Sequence, residues 1–410
     1  MSPSPARRNQ LVTVAMVFAV YTGFAFVLPF LPLYVSELGV AQPEGAALWA
    51  GVIIGVGPLL AGLLAPVWGR LADRRGHQGV AALALSAYVV MLALSAAVTR
   101  VEQLLALRIG IGLFGGIGPL GLAMATAQAP REETGHAVGL IQAAQILSAA
   151  VGPFGGGLLA DAIGIRRTFL VTAGLCALAL VLVLVFYEER GRPEAKDAVA
   201  GAGFGAVVAL PGVVALLVVL FLVNFIGRSF TPILPLHLAT LGVAASRLAS
   251  ATGVLISAYS VAAAGSAWYL GRLSRTRSPR GLLLLTLVGG AATVAPMALV
   301  PSFEHILGLA VLLGLVSGGS LTLCYTIGGL MVPEAVRTTA FGFFSGAALF
   351  GGALSPAVAG LVAHASLRGI YWVDAALFLA LAASLAAGGV RDPHLSAVAG
   401  GKEGAPGLPS

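Results

Sequence analysis

The chain has 410 residues, of which 58% are hydrophobic and only 10% charged, and its mean hydropathy is +0.98. A water-soluble globular protein of this length could not keep that composition in solution, so the sequence is read as a membrane protein. The net charge of +7 needs a separate account, given below by loop topology rather than by nucleic acid, since no basic tract with interleaved aromatics is present.

A bilayer-crossing helix needs about 20 apolar residues. In chain order such runs fall at roughly 11–35, 48–68, 79–98, 104–126, 136–160, 168–187, 212–238, 249–270, 281–300, 305–330, 339–363 and 370–390. The first follows Arg7 and Arg8 but is too long for a signal-peptide core and lacks a small-residue cleavage site, so it is predicted to be a membrane helix. Twelve helices result. With the N-terminus inside, sixteen of the 23 Lys and Arg lie on the cytoplasmic face, five lie outside, and Arg108 and Arg228 fall within apolar runs. Both termini are therefore predicted to be cytoplasmic, and this asymmetry accounts for the net charge. Cys176 and Cys324 sit inside different apolar runs, so neither a disulfide nor a metal site is expected.

The order repeats. Residues 26–40 read FVLPFLPLYVSELGV and residues 229–243 read SFTPILPLHLATLGV, with seven of fifteen positions identical and Pro29 and Pro32 returning as Pro232 and Pro235. Gly69-Arg70-Leu71 returns as Gly271-Arg272-Leu273, and Gly139 and Pro153 return as Gly342 and Pro356. The offset of 202 to 203 residues makes two related halves, and six helices per half makes them parallel repeats about an axis along the membrane normal. The expected organisation is an N-terminal six-helix bundle over 1–187, a polar cytoplasmic linker over 188–210, a C-terminal bundle over 211–390 and a cytoplasmic tail over 391–410. The fold class is thus an all-α membrane protein of twelve helices in two parallel six-helix repeats. Each proline pair lies near the outer end of its half's first helix, where lost hydrogen bonds should bend it and shape the outer mouth of a cavity.

Three stretches carry the chemistry. Residues 69–77, GRLADRRGH, read as a short cytoplasmic loop in which Gly69 and Gly76 permit a reversal and Asp73 faces Arg70, Arg74 and Arg75. In the fifth run, Gly152, Gly155 and Gly156 offer a surface for close helix approach, and Pro153 is expected to bend or loosen the helix. Arg108, in RIGIGLFGG, either has a functional role or snorkels to the outer headgroups. The pattern Gly110-x-Gly112-x-x-Gly115 is formally a dinucleotide fingerprint, but no strand precedes it and it lies in a membrane run.

The loop resembles the G-x-L-a-D-r-x-G-r-[KR] signature of the major facilitator superfamily through Gly69, Leu71, Asp73, Arg74 and Gly76, with His77 and Gln78 where the pattern prefers basic residues. The fifth run resembles that family's antiporter motif, G-x8-G-x3-G-P-x2-G-G, through Gly139, Gly152, Pro153 and Gly156, with Gly155 adjoining and Ser148 replacing one glycine. Arg108 and Gly112 resemble its R-x-x-Q-G motif, with Ile111 in the glutamine's place. The resemblance implies a twelve-helix drug:proton antiporter. It further implies conformational gating by Gly69, Asp73, Arg74, Gly76, Gly152, Pro153 and Gly156, and proton coupling through Arg108.

Arg228, well inside the seventh run at NFIGRSF, carries an insertion cost of about 2.5 to 3.5 kcal/mol at a helix centre. Its repeat partner is Ala25, so the scaffold does not require it. In the family a helix in this place lines the central cavity, which would set Arg228, Asn224 and Tyr21 against substrate. The alternative is a buried ion pair with Asp374, the acid expected within the membrane and the second coupling candidate. No acid lies in the middle of the first or fourth run, and two arginines favour an anionic or zwitterionic substrate. His237 and His364 are expected to be solvated at outer helix ends.

The function expected is export of small organic molecules by proton antiport, from a bacterial inner membrane, by a monomer without cofactor, metal or nucleic-acid partner. An uptake symporter or facilitator for a sugar or organic anion is the alternative on the same fold. A receptor or lipid-modifying enzyme would need a sensing domain or a catalytic cluster, and none is legible.

Overall fold

The computed structural model describes residues 5–127, 134–189, 207–333 and 336–388. Most of the expected linker, the expected tail and the side chain of Asp73 lie outside the described residues. What is described is helical throughout, in sixteen α-helices: α1 (Pro5–Val27), α2 (Leu31–Glu37), α3 (Pro43–Arg75), α4 (His77–Ser95), α5 (Val101–Leu113), α6 (Ile117–Ala127), α7 (Thr134–Ile163), α8 (Ile165–Phe186), α9 (Val213–Ser229), α10 (Leu234–Thr240), α11 (Leu248–Leu273), α12 (Pro279–Val294), α13 (Phe303–Ser317), α14 (Ser320–Met331), α15 (Arg337–Ala365) and α16 (Gly369–Ala386). Eleven spans among the described residues are long and apolar enough to cross a bilayer, and α9 with α10 makes a twelfth, bent by 43°.

The bends have local causes. Proline lacks an N–H and clashes with the carbonyl four residues before it. At Pro29 and Pro32 the first span passes through a 3-10 turn, Leu28–Phe30, before resuming as α2. At Pro232 and Pro235 the seventh breaks between Ser229 and Leu234. Two further interruptions come from glycine. The fourth span breaks after Leu113 at Phe114–Gly116, where Gly116 has φ 125°, and the tenth breaks at Gly318 and Gly319, at the repeat-related positions. There the glycines admit a neighbour: a side chain on Gly115 would strike Ala61, and one on Gly318 would strike Ala263.

Residues 69–75 correct the sequence reading. They are not a loop but the last two turns of α3, and the reversal into α4 is made by Gly76 alone, at φ 92°. No proline or glycine stands between Gly69 and Gly76, so the helix runs on until a residue with positive φ stops it. Pro153 likewise does not interrupt α7, which is one helix from Thr134 to Ile163.

The bundle has two ends. The basic end carries the start of α1, the α3–α4 reversal and the start of α12; the far end carries the turns between α2 and α3 and between α10 and α11. Helices of the two halves meet along α3 with α15 and α7 with α11, and the tight approaches cluster toward the far end. Added side chains on Gly51, Gly55 and Gly360 would strike backbone across the α3–α15 seam, and those on Gly157 and Gly253 would strike backbone across the α7–α11 seam. Without a hydrophobic drive between helices in lipid, such small-residue surfaces allow the backbone contact that holds them. Toward the basic end, Gly69 of α3, Gly139 of α7 and Gly342 and Gly346 of α15 face open space. The halves thus touch backbone to backbone toward the far end and not at these glycines toward the basic end.

Candidate functional site

Helix α9 presents its residues to different surroundings because successive side chains are turned by about 100°. Asn224 and Arg228, one turn apart, lie on the same face beside Gly352 of α15, whose added side chain would meet Asn224 Oδ1 and Arg228 Cγ. Arg228 is exposed and makes no hydrogen bond or ion pair with the described residues. Its field reaches the hydroxyls of Tyr21 on α1 and Tyr259 on α11. Tyr21, 37% exposed, sets its hydroxyl against Gly118 of α6, near the Gln145 amide of α7. Of the three residues expected to contact substrate, Asn224 and Arg228 are thus side by side, and Tyr21 of the other half lies in the field of Arg228. Tyr259, which packs edge-on against Phe230 at 6.2 Å between ring centres, joins them from the second half.

The expected alternative, an Arg228–Asp374 ion pair, is not formed. Asp374 of α16 is fully buried and accepts a short hydrogen bond from the Ser229 hydroxyl. The residue after Arg228 faces α16, while Arg228 is turned toward the space between the halves. The second carboxylate oxygen, Oδ1, has no hydrogen-bond partner among the described residues.

His237 is a second correction, because it is completely buried rather than solvated. The break between α9 and α10 turns its ring inward, where Nδ1 lies 2.9 Å from the Tyr371 hydroxyl of α16. His364 is exposed, as expected.

Arg108 does not snorkel. It is 2% exposed, with its guanidinium carbon 5.8 Å from the ring centres of both Phe24 of α1 and Phe169 of α8. Two aromatic faces offset part of the cost of desolvating the cation. Arg108 and Arg228 therefore occupy different places: one inside the first bundle, the other open between the bundles.

The gating candidates divide by end. Gly152 and Gly156 pack on Ala25 and the Phe26 backbone of the first span, while the Pro153 carbonyl meets Gly253 of α11 at the far end. At the basic end Gly69 faces open space and Arg74 is exposed. Gly76 sits against the Glu189 carboxylate, which accepts from the N–H groups of His77 at 2.6 Å and Gln78 at 3.0 Å. The two residues that depart from the basic pattern thus tie the start of α4 to the end of α8, with the Gln78 amide adding a bond to the Tyr187 carbonyl at 3.0 Å.

Sequence reasoning missed a latch between the halves. Asp161, at the far end of α7, accepts from the backbone N–H of Ser250 at 2.8 Å and of Ala249 at 3.3 Å, in the first turn of α11. A carboxylate at a helix start satisfies free donors and the helix dipole together. The Ser257 hydroxyl accepts from the Phe154 N–H at 3.1 Å across the same seam. An acid at a helix end was visible in the sequence, but its partner lies 88 residues away. A separate depression of about 560 Å³, lined by Pro296, Leu299, Glu304 and Leu312, lies at the far-end turn between α12 and α13, away from these residues.

A family profile described as Major Facilitator Superfamily matches residues 13–308 and 249–408. The multidrug resistance protein MdtG of Serratia proteamaculans is 33% identical over 334 residues, covering 80% of this chain and 81% of its own. The multidrug resistance efflux pump PmrA homologue of Lactococcus lactis is 33% identical over 314 residues, covering 76% and 77%. Among solved structures, a bacterial homologue of the human lysosomal transporter Spinster, in an inward-facing and occupied conformation, superposes with a TM-score of 0.77 at 15% identity over 94% of this chain and 97% of its own. The nucleoside transporter NupG does so with a TM-score of 0.74 at 14% identity, over 94% and 99%.

Proposed function

The chain belongs to the major facilitator superfamily, whose members are multi-pass membrane transporters and not enzymes, and from that premise we propose that it exports small organic molecules by proton antiport with alternating access. The excess of Lys and Arg at the basic end makes that end cytoplasmic in a bacterial plasma membrane, with both termini inside. On that orientation the backbone contacts between the halves lie toward the outside, and they support reading this state as open to the cytoplasm, the state in which an exporter takes up its cargo. The division into two six-helix bundles joined by a cytoplasmic linker belongs to the same reading.

The observation that carries the proposal is Arg228. It is exposed, without a carboxylate partner among the described residues, beside Asn224 and with Tyr21 and Tyr259 in its field. A guanidinium so placed offers charge-assisted, two-pronged hydrogen bonds to a carboxylate or phosphate, while the tyrosines offer apolar faces and hydroxyls. Anionic or zwitterionic compounds are the favoured cargo. Multidrug efflux is what the printed names of the relatives describe, and it supports export over uptake. Asp374 and Arg108, each buried in one half, are the coupling residues of this reading. The far-end glycine seams with Gly152, Pro153 and Gly156, and the α3–α4 reversal with Gly69, Asp73, Arg74 and Gly76, control the exchange of states.

The experiment is proton movement in everted vesicles on adding anionic and cationic compounds in turn, with Arg228→Ala beside the intact protein. Loss of one charge-assisted bond, about 1.5 to 3 kcal/mol, predicts a loss of anion affinity of about tenfold or more. Passive equilibration of solute without proton release would instead establish the facilitator alternative.

A further inference from the structure

Two buried polar groups on the face of α16 toward α9 and α10 stand one turn apart, and each has its partner across that interface. At the far-end turn Arg368 is exposed. Three residues deeper, Tyr371 is fully buried with its hydroxyl 2.9 Å from His237 Nδ1. Another three residues deeper, Asp374 is fully buried and bonded by Ser229. Helix α16 runs inward from the far end while α9 and α10 run outward, so His237 pairs with the outer step and Ser229 with the inner one. His237 Nε2 and Asp374 Oδ1, at the two extremes of this series, have no hydrogen-bond partner among the described residues.

Burying such groups costs free energy that an apolar set would avoid, and the first half does avoid it. The repeat partners of Asp374, Tyr371 and His237 are Thr172, Phe169 and Tyr34, which pack the equivalent interface without a carboxylate or an imidazole. The scaffold does not need this series.

We infer that His237 and Tyr371 form a proton relay that connects the far end to Asp374, a reading that rests on the proposed antiport. The step balances in protons. Neutral His237, carrying hydrogen on Nδ1 toward Tyr371, takes a proton at Nε2 from the far side. Nδ1 then gives its proton to the Tyr371 oxygen as the tyrosine's own proton leaves for Asp374 one turn along α16; Tyr371 does not hydrogen-bond that carboxylate in this state, so this last transfer requires a turn of the Tyr371 side chain or intervening water. Asp374 ends neutral, and His237 ends in the other tautomer with Tyr371 donating to Nδ1. Return of the proton to the cavity side passes by Ser229, the neighbour of Arg228, so cargo and proton meet on adjacent residues of α9.

The charged groups around the relay are few. Of the helices against α10, α16 brings Tyr371, Arg368 and Asp374, α2 brings Tyr34 and Glu37, and α11 brings Tyr259. Among these charges Arg368 is the one whose field acts on His237, and Asp374 acts on Tyr371.

The test is substrate-driven proton release in everted vesicles as a function of pH, for the intact protein, His237→Gln and Tyr371→Phe, with substrate binding measured in parallel in detergent. Tyr371→Phe keeps the ring beside His237 and removes only the hydroxyl, so it guards against loss of fold. The expected result is a fall in the proton-release rate of at least about tenfold, the low side of what a positioned proton donor contributes, with binding unchanged. His237→Gln should also remove the pH dependence contributed by the imidazole. If the intact protein couples and both variants couple equally well with the same pH profile, the relay is overturned while antiport stands. Absence of proton release from the intact protein overturns both.

Discussion

The interface of the first and sixth spans and that of the seventh and twelfth are built to one plan. In the first half Tyr34 packs against Phe169 with ring centres 5.2 Å apart, and Arg166 lies over Tyr34 at 5.5 Å. In the second half His237 packs against Tyr371 at 5.3 Å, and Arg368 acts on His237. One turn deeper the plans part. Thr172 donates to the Gly23 carbonyl at 3.0 Å in the first half. In the second half Asp374 stands in its place and Ser229 replaces Phe26 as its neighbour. Arg108 shows the reverse, a buried cation whose repeat partner in the second half is the buried Ala310. A duplicated frame supplies its own control: what packing requires is present in both copies, and what only one copy carries has another reason.

The strongest way to break this comparison is to give the second half the first half's residue. Asp374→Thr should keep or raise the melting temperature, because the carboxylate has an oxygen without a partner and its burial is costly. Substrate-driven proton release should fall by at least about tenfold, since among the described residues no other carboxylate is found at that depth between α9 and α16. Full coupling by Asp374→Thr would mean that the acid is only a packing variant of Thr172, and the contrast between the halves would carry no function.

A smaller effect is expected at the far-end seams, which repeat the comparison. Pro153 meets Gly253 across one seam as Pro356 meets Gly51 across the other. The first seam adds the Asp161 latch, and the repeat partner of Asp161 in the second half is His364, which is exposed. The opposing helix also differs. α3 begins earlier in register than α11, so the N–H groups facing His364 already belong to the helix ladder and need no cap. Asp161→Ala leaves two donors of α11 without their acceptor, at about 1 kcal/mol. That corresponds to roughly a fivefold shift toward the state open at the far end. Spin-label distances between the far ends of α7 and α11 would show it. A His364→Ala variant should leave the distribution where it was, and an equal shift in both variants would remove the asymmetry.

Much of this frame was legible beforehand because it rests on local signals. Composition and apolar run length located the spans, and the two proline phrases located the breaks in the first and seventh. The glycine breaks in the fourth and tenth went unread, although Gly115-Gly116 and Gly318-Gly319 are repeat-related, because glycine is common in membrane helices and marks a break only when a neighbouring backbone must approach. The choice between Arg228 and Ser229 as the partner of Asp374 could not be made from spacing, since a turn of 100° decides it and the break at Phe230 resets the phase. His237 looked solvated for a related reason. It lies near a helix end, but the 43° bend turns that end into the bundle; its repeat partner Tyr34, inside an apolar phrase, was the available signal.

The smallest expected effect tests whether contacts inside one half stay apart from the exchange of states. Glu189 accepts from the first two N–H groups of α4, and His77 Nδ1 lies 3.4 Å from the same carboxylate. Glu189 stands at the start of the expected linker directly after α8, and α4 and α8 both belong to the first half, so this cap is made whichever end of the molecule is open. Glu189→Ala should cost about 1 kcal/mol, as loss of a helix cap does, and lower the melting temperature by a few degrees. It should leave the transport rate and the balance between open ends unaltered. Gln78→Ala should behave alike, because its amide bonds to the Tyr187 carbonyl of the same half. If either variant moved the far-end distances as Asp161→Ala does, the α3–α4 reversal would be coupled to the far-end seam. The halves would then not move as bodies, and the gating assigned to Gly69, Arg74 and Gly76 would act through deformation of the first half.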